Sequence, residues 1–236
     1  MAGGAGVKMI FNQESYFEMI FGNNGSLGPN QYFDIEQNSE NSVAEIELNS
    51  DPNLTLEILH IAFTDFNSCL SQYNCYQLAN GLYYIFNPSF SDLGFIFQNT
   101  QLDLKKRVKT IEALSGFILH VFEKNAEPIL GHISQKTKDK ANSELNEICY
   151  MFWDVACIPY NCQVEIQQAC LGVMGQCALS NNIAVVEGAL HGLGHAQLYL
   201  DGPKLQSYIQ NAHIQDGPLS DTLKTYALNA QRGYIL

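Results

Sequence analysis

The chain has 236 residues, 46% of them hydrophobic and 15% charged, with a formal net charge of −12. Such a length builds one large domain or two small ones, and such a composition folds rather than staying disordered. The charge excludes nucleic acid as a partner, and no run approaches the roughly 18 apolar residues of a membrane span.

Residues 1–8 read as a disordered small-residue leader ahead of a start at Met9, with no secretory signal. The next stretch with a pattern, "QYFDIEQNSENSVAEIELNS", alternates apolar and acidic residues. Phe33 and Ile35 stand against Asp34 and Glu36; Ala44, Ile46 and Leu48 stand against Glu45 and Glu47. Alternation of this kind predicts a small acidic β-hairpin, with an irregular loop or a short helix over Ser42–Leu48 as the alternative.

Helical periodicity takes over at Asp51. Asp51 is a plausible N-cap with Pro52 at the first helical position, followed by Leu54, Ile58 and Ile61 at helical spacing. "CYQLANGLYYIF" gives a second helix that stops at Asn87-Pro88. The longest pattern begins at Leu104, where Leu104, Val108, Ile111, Leu114, Ile118 and Val121 form one stripe. "LKKRVK" (104–109) then reads as a solvated flank rather than a phosphate-binding patch.

Beyond a polar link, five helices with short connections are predicted, as in stacked antiparallel helix pairs. Their stripes are Leu145, Ile148, Phe152 and Val155; then Ile166, Ala169, Cys170, Val173 and Cys177; then Ile183, Val186, Leu190 and Leu193. Asp201-Gly202-Pro203 and Asp216-Gly217-Pro218 mark the last two breaks. Trp153 reads as core, and Asp154, out of place in an apolar run, as an ion-pair partner of Arg232. The seven cysteines include no C-x-x-C pair and read as reduced cytosolic thiols.

One stretch carries a candidate metal motif. In "EGALHGLGHAQ" (187–197), Glu187, His191 and His195 recur every four residues, which keeps them along one flank of a helix. Zinc proteases place Glu directly after the first His, whereas this chain has Gly192. Gly192 and Gly194 are better explained by close helix–helix approach, since each costs helix stability relative to Ala. The histidines are therefore expected to be packed and hydrogen-bonded, with no metal, no cofactor and no catalytic residue. No nucleotide-binding or nucleophile-elbow motif occurs anywhere in the chain.

The charge is lopsided. Residues 1–104 hold twelve acids and one base, Lys8; residues 105–236 hold twelve acids and eleven bases. Such a field attracts basic partners, which makes Asp34, Glu36, Glu40, Glu45, Glu47 and Asp51 candidate partner-binding residues.

"YMFWD" (150–154), "ACLGVMGQCALSNNIAVVEGALHGLGHAQ" (169–197) and "LKTYALNAQRGYIL" (223–236) resemble the C-terminal part of a bacterial family of HEAT-like helical-repeat proteins. The resemblance covers residues 141–236. It implies an all-α HEAT-like stack over 141–236; charge and helical periodicity make residues 9–140 an acidic helical part, read as continuous with that stack. The resemblance also implies a cytoplasmic, non-enzymatic immunity protein of a contact-dependent growth inhibition system. The partner would be the basic C-terminal nuclease domain of a toxin, of the EndoU ribonuclease type. The alternative is a helical-repeat scaffold or adaptor with an unrelated partner.

Overall fold

A computed structural model of the chain describes residues 13–22, 39–133, 140–160, 162–200 and 202–235. The leader at 1–8 and the first predicted strand, around Phe33–Glu36, lie outside the described residues. Every regular element among those described is helical.

The first two helices, α1 (Gln13–Phe21) and α2 (Ser39–Ser50), pack against each other. Helix α2 corrects the predicted second strand. Ala44 and Leu48 are buried and Ile46 is 66% exposed, the pattern of a helix in which positions 44 and 48 share a face. A strand would have put all three on one side. Alternating apolar positions contain an i,i+4 pair, and the neighbouring helices give that pair something to pack on.

Caps set the boundaries of the next helices. Asp51 accepts the backbone N–H groups of Asn53 and Leu54 and starts α3 (Pro52–Thr64). After the single turn α4 (Phe66–Cys69), Asn74 and Gln77 form a reciprocal capping box at the head of α5 (Cys75–Phe86). A 3-10 turn (Leu93–Gln98) leads to Asp103, whose carboxylate caps α6 (Leu104–Phe122). All of Ile111, Leu114, Ile118 and Val121 are buried, as the stripe requires.

The solvated-flank reading of residues 104–109 holds for Lys105, Lys106 and Lys109 and fails for Arg107. Arg107 is 1% exposed. One guanidinium nitrogen donates to the Phe97 carbonyl at 2.9 Å and another to Gln163 Oε1 at 2.6 Å. Its position, one turn from Ile111 and two from Leu114, places it on the buried stripe. The aliphatic stem packs as an apolar residue would, while the planar fork finds acceptors on two neighbouring elements.

A second 3-10 turn (Gly131–Ile133) precedes the five predicted C-terminal helices: α7 (Lys140–Val155), α8 (Val164–Cys177), α9 (Ile183–Ala196), α10 (Pro203–Gln210) and α11 (Ser220–Ala230). Gly202, with φ +153°, hands over to Pro203 at the first position of α10. After Pro218 the helix starts two residues later, at Ser220. From α3 onward the long helices fall into two rows. In one row α3 packs on α6, α6 on α8 and α8 on α10; in the other α5 packs on α7, α7 on α9 and α9 on α11. A single hydrophobic core runs through both rows, from Tyr16 to Ala230. No described helix is long and apolar enough to cross a membrane.

Helix α9 sits deepest. Every residue from Ala184 to Gly194 is buried, not only the predicted stripe. Three side chains in "IAVVEGALHGLGHA" are polar, and a helix apolar on its other faces is one enclosed by neighbours. The glycines make that enclosure possible. A Cβ on Gly188 would lie 2.4 Å from the Cys149 carbonyl oxygen of α7, and one on Gly192 2.6 Å from Trp153 Cβ. The predicted close helix–helix approach is therefore present. Gly194 instead admits Ile235 of the C-terminal tail.

Candidate functional site

The six predicted partner-binding acids divide into three groups. Asp34 and Glu36 lie outside the described residues, and Glu40 and Glu45 fall on α2. Glu47 and Asp51 each hold structure together: Glu47 accepts the Tyr16 hydroxyl across α1 and α2, and Asp51 is the α3 cap. Burial, assisted by that Glu47 carboxylate, pushes the Tyr16 hydroxyl up to about 12. Further acids that sequence reasoning did not single out are exposed on the same helices: Glu14 and Glu18 on α1, and Glu57 on α3. Ile46 is exposed on α2.

The second candidate site lies along the polar strip of α9. Asn182 places the helix: its side-chain oxygen caps Ala184 N–H at 3.0 Å, and its amide donates to the Glu123 and Ala126 carbonyls. Three turns follow with Glu187, His191 and His195 on one line, but the structure does not join them into one site. Glu187, 1% exposed, turns towards the 131–133 turn. Its carboxylate accepts the Gly131 N–H at 2.7 Å and the His132 N–H at 3.1 Å, and pairs with the His132 ring. A carboxylate only accepts, so His132 Nδ1 carries the proton.

The histidines face Asp154 instead, across the α7–α9 contact. His195 Nε2 lies 3.0 Å from Asp154 Oδ1 and 3.1 Å from His191 Nε2. The expected Asp154–Arg232 pair is thereby corrected: Asp154 pairs with His195, and Arg232 is exposed. On its other nitrogen His191 meets the Tyr226 hydroxyl of α11 at 2.7 Å, and Tyr226 meets Tyr150 of α7 at 3.3 Å. The Tyr150 ring packs on His191, and the His132 ring stacks on Tyr226 at 4.3 Å. Burial, reinforced by His195 and opposed by Asp154, lowers the His191 pKa to about 4. The strip thus grades from a sealed carboxylate at Glu187 to a solvent-facing one at Asp154.

Sequence reasoning found the two histidines, singled out Asp154 with the wrong partner, and missed Tyr150, Tyr226 and His132. One signal was present: Tyr150 and Asp154 are four apart on α7, the spacing of His191 and His195 on α9. Two such pairs on adjoining helices face each other when the helices pack side by side.

No family model matches the chain, and no curated protein or solved structure shows significant similarity to it.

Proposed function

We propose that the protein is an immunity protein that binds the basic nuclease domain of a growth-inhibition toxin and covers its RNA-binding or active site. The observation that carries this reading is the acidic helical half with Ile46 exposed on it. An exposed apolar side chain on a half of the chain rich in acids offers an anchor and a steering field to a basic partner. Nuclease surfaces are positive because they hold phosphates, and carboxylates can take the same groups. The resemblance of residues 141–236 to HEAT-like proteins agrees with the two-row order of the helices. A HEAT-like stack would serve as the rigid support for the acidic face.

The test is to read the gene immediately upstream for a basic toxin domain and to co-express the two chains. A 1:1 complex that suppresses RNA cleavage is expected. Ile46→Asp with Glu57→Lys should slow association, most strongly at low salt, where screening is weakest. Among the described residues neither side chain serves as a cap or hydrogen-bond partner, so melting should change little. A complex that leaves nuclease activity intact would identify a scaffold or adaptor instead. Wild-type association by the double variant across a salt series would remove the acidic face as the interface.

A further inference from the structure

We propose that Asp154, His191 and His195 form a binding site for a divalent first-row transition ion of the zinc class, bridging α7 and α9. Their ligand atoms all lie within 4.8 Å of one another. With metal–ligand bonds of about 2.0–2.1 Å, atoms around a tetrahedral ion lie about 3.3 Å apart. The two separations at His195 Nε2, 3.0 Å and 3.1 Å, are close to that edge.

Proton counting points the same way. His195 Nε2 faces two acceptors, Asp154 Oδ1 and His191 Nε2, and one N–H must be shared between them. If His191 Nε2 carries the proton instead, His195 Nε2 turns a lone pair towards the carboxylate. No placement of one proton per contact is possible at a single nitrogen. A cation among the three atoms accepts all three lone pairs together.

The surroundings are those of an ion site. His191 is fixed through its other nitrogen by the Tyr226 hydroxyl, as metal-bound histidines are fixed by a partner behind the ring. Asp154 and His195 are 37% and 23% exposed, which gives an ion its entry and leaves room for water as a fourth ligand. Glu187, which the four-residue spacing offers as the third ligand, is not part of the site. Its carboxylate is occupied by the 131–133 turn.

The experiment is titration of the full-length, metal-stripped chain with Zn²⁺, followed by calorimetry, and with Co²⁺, followed by visible absorption. Folding of each variant is checked by circular dichroism. One equivalent of Zn²⁺ should bind and raise Tm. The Co²⁺ complex should show tetrahedral bands without thiolate charge transfer, which separates this site from the seven cysteines. Asp154→Ala and His195→Ala, both at partly exposed positions, should abolish the binding. Tyr226→Phe should weaken it by about 10-fold to 100-fold. Glu187→Gln should leave it unchanged. Absence of saturable binding at about 10 μM Zn²⁺ overturns the site. So does binding that survives Asp154→Ala and His195→Ala together, or that Glu187→Gln removes.

Discussion

Glu187 reaches back 55 residues to close on His132, taking both its backbone N–H and its ring. The carboxylate is buried, so the contact matters through the donors it satisfies. Glu187→Ala leaves the Gly131 and His132 N–H groups without their acceptor and opens a cavity beside α9. A loss of about 3 kcal/mol in urea unfolding is expected. Glu187→Gln keeps one acceptor and the shape, and should cost about half as much. Equal stability of Glu187→Ala and wild type would show that the turn is held by other contacts.

Two glycine-to-alanine substitutions should move stability in opposite directions. Gly188 lies against a main-chain carbonyl that no rotamer change can move. Gly188→Ala should therefore cost about 2 kcal/mol net, despite the better helix propensity of Ala. Gly172, in the middle of α8, has nothing within 4 Å of its missing Cβ. There the propensity gain stands alone, and Gly172→Ala should stabilise by up to about 1 kcal/mol. Thermal melts of the two variants decide the matter, and a shared sign would count against the close α7–α9 contact.

Arg107 is a buried cation with neutral partners. Among the described residues no carboxylate pairs with it, and its Nε has no hydrogen-bond partner. A guanidinium so placed contributes mainly by filling space and joining the 3-10 turn to the head of α8. Arg107→Met should fall within about 1 kcal/mol of wild type, whereas Arg107→Ala, which leaves a cavity, should cost about 3 kcal/mol. A Met variant as unstable as the Ala variant would mean that the two hydrogen bonds carry the stability.

Alkaline conditions should unfold the protein earlier than its acidity suggests. Burial pushes the thiols of Cys157 and Cys162 up to about 11 and that of Cys177 up to about 12. The unfolded chain loses these protons near pH 9, while the folded chain keeps them. Over that interval the folded state binds more protons, so stability falls as pH rises. Urea midpoints should be level up to about pH 9 and decline steadily from there to 11. A flat profile to pH 11 would contradict thiol burial.

Much of the fold can be read along the chain because caps and stripes are local. Asp51-Pro52, Asn87-Pro88 and Gly202-Pro203 mark helix ends by short-range chemistry that no distant contact alters. The acidic stretch at 44–48 misled because Ala44, Ile46 and Leu48 fit a strand locally. Only the packing of α2 against its neighbours chooses between the two periods. Arg107 misled in a similar way, since a charged side chain in a basic run gives no sign of the carbonyl and amide waiting on other elements. At the candidate site, the spacing along α9 located both histidines and suggested the wrong carboxylate. Glu187 shares their helix, but Asp154 shares their space, and that depends on how α7 lies across α9.

The enclosure of α9 also sets the order in which the protein can come apart. Its amides are reached by water only after α7, α8 or α11 has left, so no small fluctuation uncovers them. Deuterium should enter these amides at the rate of whole-molecule unfolding, while α1 and α2, at the end of the core, exchange through partial openings. On this ordering the helix that holds both histidines is expected to be the last to let go, and α1 and α2 to open before it.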